Sequence, residues 1–239
     1  MENITCRRWK QVHAESVHAD SDVPPWHSLL ATIRACYDVL EAMEPISIHP
    51  RSLPGKFWDA GFCLDVHTKS SEFLGHNAYG HPEFDTVYST IGKCLYRRKY
   101  RGDRSAMDPI VDALKRFLDQ WKPRVDLLVP IPHSTPGRTL VPDMARKLSV
   151  LAEVPVCDDC IERRGSSKQL KDVYDRNERL ELLKGAFVIR RERIEGKRLL
   201  LLDDLYRSGA TVGAIAEAFQ EAGARKVFLL TVTRTRSNR

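Results

Sequence analysis

The sequence predicts an α/β fold, a parallel sheet flanked by helices, on three observations. Residues 125–131, 199–202 and 227–232 are short apolar runs of the length and composition of strands buried on both faces. Residues 110–121, 138–151 and 212–222 carry apolar side chains at helical spacing. The two kinds of segment alternate along the chain, and alternation of this kind builds parallel strands joined by helical crossovers.

Residues 1–25 have no periodic apolar pattern and finish in Pro24-Pro25, the mark of a flexible tail. Trp26, Leu29, Leu30, Ile33, Tyr37 and Leu40 then recur at helical spacing until Pro45 stops the pattern. From Phe57 to about Ile91, short apolar stretches alternate with glycines and histidines, which predicts a hairpin or small sheet. His67, His76 and His81 lie in it, either as a base or metal ligand or as ordinary surface residues. Residues 26–100 are thus expected to form an N-terminal helix and hairpin region, and residues 101–239 the α/β domain.

In that domain Asp103 or Ser105 is placed to cap a helix whose apolar face is Ile110, Val111, Leu114, Phe117, Leu118 and Trp121, with Pro123 ending it. Met144, Ala145, Leu148 and Leu151 mark one side of the helix after strand 125–131. After strand 199–202 comes the helix to Ala222, stopped by Gly223, and then strand 227–232.

At 239 residues and 42% hydrophobic content the chain is long enough for one substantial core. Residues 1–80 hold 7 basic and 10 acidic residues, net −3, and the remainder holds 31 and 22, net +9. That basic excess suits a polyanionic ligand, whether a phosphorylated small molecule or nucleic acid. No apolar run is as long as a membrane span and no signal-peptide core is evident, so a cytoplasmic location is expected. In such a compartment Cys6, Cys36, Cys63, Cys94, Cys157 and Cys160 are expected to be free thiols; only Cys157 and Cys160 have metal-like spacing, and no second pair matches them.

Residues 199–211, Leu-Leu-Leu-Leu-Asp-Asp-Leu-Tyr-Arg-Ser-Gly-Ala-Thr, carry the chemistry. Asp203 and Asp204 stand at a strand's carboxyl end, where ligands bind in open parallel sheets. Arg207, Ser208, Gly209, Ala210 and Thr211 then form a loop whose backbone N–H groups and hydroxyls suit a phosphate at a helix N-terminus. Carboxylates repel phosphate, so the pair makes sense when the ligand also presents hydroxyls, as a ribose does, or carries a divalent cation. The plainer alternative is a strand end and helix cap in another nucleotide fold. Neither Gly-x-x-x-x-Gly-Lys-Ser/Thr nor Gly-x-Gly-x-x-Gly occurs, which argues against P-loop and dinucleotide folds.

Two further segments belong to this reading. Residues 129–138 run from a strand end into His133, Ser134, Thr135, Gly137 and Arg138, donors suited to pyrophosphate, or else an ordinary strand-helix connection with a capping serine. Residues 163–187 contain Arg163, Arg164, Lys168, Gln169, Arg176 and Arg179, either a cationic flexible lid that closes over a leaving group or a solvated charged connection.

Four apolar residues, two acids and a loop ending Gly-x-Thr resemble the signature of type I phosphoribosyltransferases, with Arg207 and Ser208 where that family usually has two threonines. Pro130-Ile131-Pro132, Lys168-Gln169, Arg179, Lys184-Gly185-Ala186-Phe187 and the stretch from Gly92 to Gly102 resemble the ComF-like branch, associated with competence for DNA uptake. The chain departs from that branch in lacking its Arg-Gly-Phe-Asn-Gln stretch after Arg138, its N-terminal zinc-binding cysteine pairs, and the asparagine often found at Leu182. The resemblance implies a phosphoribosyltransferase that binds 5-phosphoribosyl 1-pyrophosphate (PRPP) with Mg2+. Asp203 and Asp204 would then engage the ribose hydroxyls directly or through the metal's waters, residues 207–211 the 5-phosphate, and residues 133–138 the pyrophosphate. The nitrogen acceptor would lie under a hood built from residues 26–100. A second class of answer is a non-catalytic adaptor for nucleotide or single-stranded DNA, using Arg97, Arg98, Lys99 and Arg101 with Arg234, Arg236 and Arg239.

Overall fold

The computed structural model describes residues 45–133, 139–164, 183 and 185–236. The helix expected at 26–40 therefore lies outside the described residues, as do Ser134, Thr135, Gly137, Arg138, Lys168, Gln169, Arg176, Arg179 and Arg239.

The apolar runs become strands of one five-stranded sheet. Its members are β1 (Arg51–Ser52), β2 (Ala60–Val66), β5 (Leu127–Pro130), β8 (Arg198–Tyr206) and β9 (Lys226–Arg234), in the spatial order β1-β2-β9-β8-β5. β2, β9, β8 and β5 run parallel, and only the two-residue β1 is antiparallel, at one edge. Beyond β5 the chain returns at Val156, which bridges Leu128 in parallel and covers the other edge. Two antiparallel ribbons, β3 (Thr68–His76) with β4 (Pro82–Tyr88) and β6 (Ile161–Arg163) with β7 (Phe187–Ile189), stand apart from the sheet.

Strand alternation splits the core in two. Leu199, Leu201, Val227 and Leu229 face α5 (Ala210–Glu221), through Ala210, Val212, Ile215 and Phe219, and the short α4 (Arg191–Ile194), through Ile194. Leu200, Leu202, Leu230 and Val232 face α1 (Thr90–Tyr100), α2 (Met107–Trp121) and α3 (Leu140–Ala152). Helices cover both faces, as the alternation of strands and helices requires.

The structure departs from expectation at several elements. The hairpin forms, as β3 and β4, but Ala60–Val66 does not join it; buried at Gly61, Cys63, Leu64 and Asp65, this segment pairs with β9 inside the main sheet. Residues 90–100 form a helix that apolar spacing does not announce, since only Ile91, Gly92 and Leu95 are buried. Its ends supply what its stripe lacks: the Ser89 hydroxyl accepts from the Gly92 N–H at 3.0 Å, and Arg97, Arg98 and Lys99 complement the dipole of the last turn. Asp103 caps a short 3₁₀ turn, Arg104–Ala106, ahead of α2, accepting from the Ser105 N–H at 2.9 Å.

The cysteines also differ from expectation. Cys157 and Cys160 are joined in a disulfide, not reduced, because the turn between β5's edge and β6 brings their Cα atoms to 5.4 Å. Both are buried, whereas Cys63 and Cys94 are free thiols. Among the described residues no three metal-ligating side chains cluster, and no helix is long and apolar enough to cross a membrane.

Candidate functional site

The carboxyl ends of β2, β5, β8 and β9 converge on one edge of the sheet, and β8 reaches furthest past β5. Pairing with β5 ends at Pro130 opposite Leu202, and the last bond on that side is Ile131 N–H to the Leu202 carbonyl at 2.9 Å. Pairing with β9 continues to Tyr206 opposite Arg234. From Asp203 onward β8 is therefore held on one side and open on the other, forming a fork with the chain that leaves β5 toward His133. His133 is half-buried at the last described position of that loop.

Asp203 and Asp204 sit in this fork on opposite faces of the strand. Alternation that sends Leu199 and Leu201 toward α5 places Asp203 on that side, and Asp204 follows Leu200 and Leu202 toward α1. There the Lys99 ammonium donates to Asp204 Oδ2 at 2.7 Å, with side chains only 15% and 7% exposed. Asp203 is half-buried and accepts from the Asp204 N–H at 2.8 Å. Burial first, and the Asp204 charge second, push Asp203 up to about 8, against the lowering pull of that N–H and of Lys99. A carboxyl raised this far favours keeping its proton at neutral pH, while the Lys99 ammonium faces the carboxylate of Asp204 on the other side of the strand.

The loop after β8 is shaped by Gly209. Its φ of +76° lies in the left-handed region, and a Cβ there would come within 2.3 Å of the Tyr206 hydroxyl. Gly209 is the N-cap of the 12-residue α5: its carbonyl accepts from Gly213 N–H at 2.7 Å, and Ser208 Oγ accepts from Ala210 N–H at 3.4 Å. The N–H groups of the first turn have no partner within the helix, and the positive end of its dipole lies at the end of the loop that follows β8. Arg207 and Ser208 are exposed, Thr211 is half-buried, and Gly209 and Ala210 are buried.

Sequence reading missed two side chains here. Lys99, which looks like one of several surface cations on α1, lies 105 positions from its carboxylate partner. His67, which looks like His76 and His81, differs from them because they are exposed and it is held at the end of β2. Its ring lies edge-on to Tyr88 at 5.5 Å and its Nδ1 is 3.3 Å from Thr233 Oγ1. Thr233 Oγ1 donates in turn to the Asp204 carbonyl oxygen at 3.2 Å. Burial, then the Lys99 ammonium, hold His67 below the ordinary imidazole range, with Arg207 acting the same way and Asp204 opposing. Gly92 makes the arrangement possible, since a Cβ there would meet the His67 carbonyl oxygen at 2.2 Å.

The remaining expected residues fall elsewhere. Arg163 and Arg164 open the segment proposed as a lid, but Arg163 itself is on β6, its guanidinium 5.5 Å from the Phe187 ring centroid, and Arg164 N–H donates to the Ala186 carbonyl at 2.8 Å. In the basic cluster on α1, Arg97 pairs with Asp103, Arg98 with Asp143 and Lys99 with Asp204. Arg236 donates to the Lys69 carbonyl.

No protein-family model matches the chain, and no curated protein matches it. Among solved structures it is similar to an adenine phosphoribosyltransferase, at 12% identity over 68% of this chain and 85% of that one, with a TM-score of 0.40. It is similar to a purine phosphoribosyltransferase from Pyrococcus horikoshii, at 17% identity over 56% and 85%, with a TM-score of 0.36. A third is the glutamine phosphoribosylpyrophosphate amidotransferase from B. subtilis, at 16% identity over 65% and 34%, with a TM-score of 0.42.

Proposed function

We propose that the chain binds PRPP with Mg2+ and transfers its phosphoribosyl group to a nitrogen acceptor with release of pyrophosphate. The observation that carries this reading is the acidic doublet at the open end of β8, followed within five residues by the left-handed Gly209 and the start of α5. A sugar phosphate is long enough to meet both, with hydroxyls on Asp203 and Asp204 and the phosphate on residues 207–211.

The protonation of the doublet supports a sugar rather than a bare cation. A protonated Asp203 both donates and accepts, matching a diol, and the Lys99–Asp204 pair leaves little net charge to repel a phosphate. The two carboxyls lie on opposite faces of a strand. This donor set fits a Mg2+ held by the donor's own oxygens and reaching Asp203 or Asp204 through water. Bound there, the metal would offset charge on the departing pyrophosphate. The protein's share is to orient the ribose and hold the 5-phosphate away from the reacting carbon. His133 begins the loop that would take the pyrophosphate.

The adaptor reading calls for an open run of cations, whereas Arg97, Arg98 and Lys99 are each paired with an aspartate. Pyrophosphate release from PRPP, measured with adenine, hypoxanthine, guanine, uracil and orotate in turn, tests the transferase reading. Release with one base, abolished by Asp204→Asn, is expected. Single-stranded DNA binding that falls steeply with salt and survives Asp204→Asn, with no release for any base, would replace it.

A further inference from the structure

We infer that His67 is a catalytic residue of the transfer reaction, its Nε2 accepting the proton of the nitrogen nucleophile; this rests on the function proposed above. The hydrogen bonds around Thr233 carry the inference. A threonine hydroxyl has one hydrogen, and Thr233 gives it to the Asp204 carbonyl oxygen, at 3.2 Å. The 3.3 Å contact with His67 Nδ1 can then be a hydrogen bond only if Nδ1 is the donor. A neutral imidazole with its proton on Nδ1 has its lone pair on Nε2.

The surroundings keep the ring in that state. Burial disfavours imidazolium most, Lys99 on α1 and Arg207 in the loop after β8 act the same way, Asp204 on β8 opposes them, and Tyr88 on β4 packs edge-on to the ring. The backbone fixes the ring's position without using the side chain: His67 N–H donates to the Arg234 carbonyl at 2.8 Å, and the His67 carbonyl accepts from Ser89 N–H at 3.3 Å. The signature loop offers no comparable base, since Lys99 occupies Asp204 and Asp203 is itself protonated at neutral pH.

The step balances without a further reactant. The acceptor's N–H bond breaks as Nε2 takes the proton, and the nitrogen's electron pair forms the new bond to the anomeric carbon. The bond from that carbon to the pyrophosphate oxygen breaks, and its electron pair leaves with pyrophosphate. The imidazolium, crowded by Lys99 and Arg207, returns its proton to solvent.

Nitrogen-15 NMR of the histidine rings in the full chain tests the tautomer without any acceptor. At pH 7, His67 is expected neutral with Nδ1 protonated and Nε2 bare, and Thr233→Val is expected to erase that preference; a protonated Nε2 in the wild type overturns the inference. Kinetics supply the second arm. His67→Gln is expected to bind PRPP, in calorimetry, as the wild type does, yet to release pyrophosphate about 100-fold more slowly, with kcat falling and KM for PRPP unchanged. It should also lose the rise in rate that the wild type shows as the imidazole deprotonates. Unchanged kcat and pH profile in His67→Gln would overturn the base assignment while leaving the transferase reading standing. Failure of the wild type to bind PRPP at all would remove both.

Discussion

Lys99 and the two aspartates place three ionisable groups at the end of β8. An ammonium and a carboxylate at 2.7 Å, almost out of solvent, balance each other, and removing one strands the other. Lys99→Met is therefore expected to lower stability by about 3 kcal/mol, read as a shift in the urea midpoint, and Lys99→Met with Asp204→Asn together to recover most of it. Asp203 adds a pH dependence of definite sign. Its native carboxyl titrates near 8 against 3.8 for the free side chain, so between those values the native state holds a proton that the unfolded state has lost. Stability is expected to fall as pH rises through that window and to be flat below it. Denaturation of wild type and Asp203→Asn at pH 5 and pH 8 checks this, the variant losing the slope. The doublet is legible in the sequence because its neighbours in the chain define it. Lys99 and His67 are not, because their partners are 105 and 166 positions away and only the fold brings them together.

Two elements owe their placement to a glycine. At Gly209 a side chain meets both an unfavourable φ and the Tyr206 hydroxyl, so Gly209→Ala is expected to cost about 1–2 kcal/mol and to weaken binding of PRPP, measured by calorimetry, more than it lowers the melting temperature. At Gly92 the obstacle is the His67 backbone carbonyl, which cannot swing aside; a side chain there displaces the start of α1, and with it Lys99 from Asp204. The tight turn after β8 and the helix start behind it could be read from Gly209 and the apolar spacing that follows. Helix α1 could not be read, since its capping serine and basic last turn outweigh an apolar face of two side chains, Ile91 and Leu95. The Cys157–Cys160 disulfide escaped for a similar reason: two cysteines without a matching pair suggest loose thiols until a tight turn sets their Cα atoms at bonding distance.

At the scale of the whole molecule, the alternation of apolar runs and amphipathic stretches was enough to predict a parallel sheet covered on both faces, because strands buried twice over carry no polar face to mislead. The same rule hid the role of β2. Its seven residues sit among histidines and glycines and look like part of a local hairpin, yet they pair with a strand more than 160 positions later and bring His67 to the edge where β8 opens. The leucines of β8 fasten that edge to both cores. Leu201→Ala, at a position with no solvent exposure, is expected to cost about 2–5 kcal/mol, read from the denaturant midpoint. The central claim is that this edge grips a phosphorylated sugar by its hydroxyls and its phosphate together. Calorimetric titration of PRPP with and without Mg2+, into wild type and Asp204→Asn, tests it most directly. The account predicts saturable binding to the wild type that Mg2+ strengthens and Asp204→Asn abolishes; equal heats from wild type and variant, or no binding to the wild type, would contradict it.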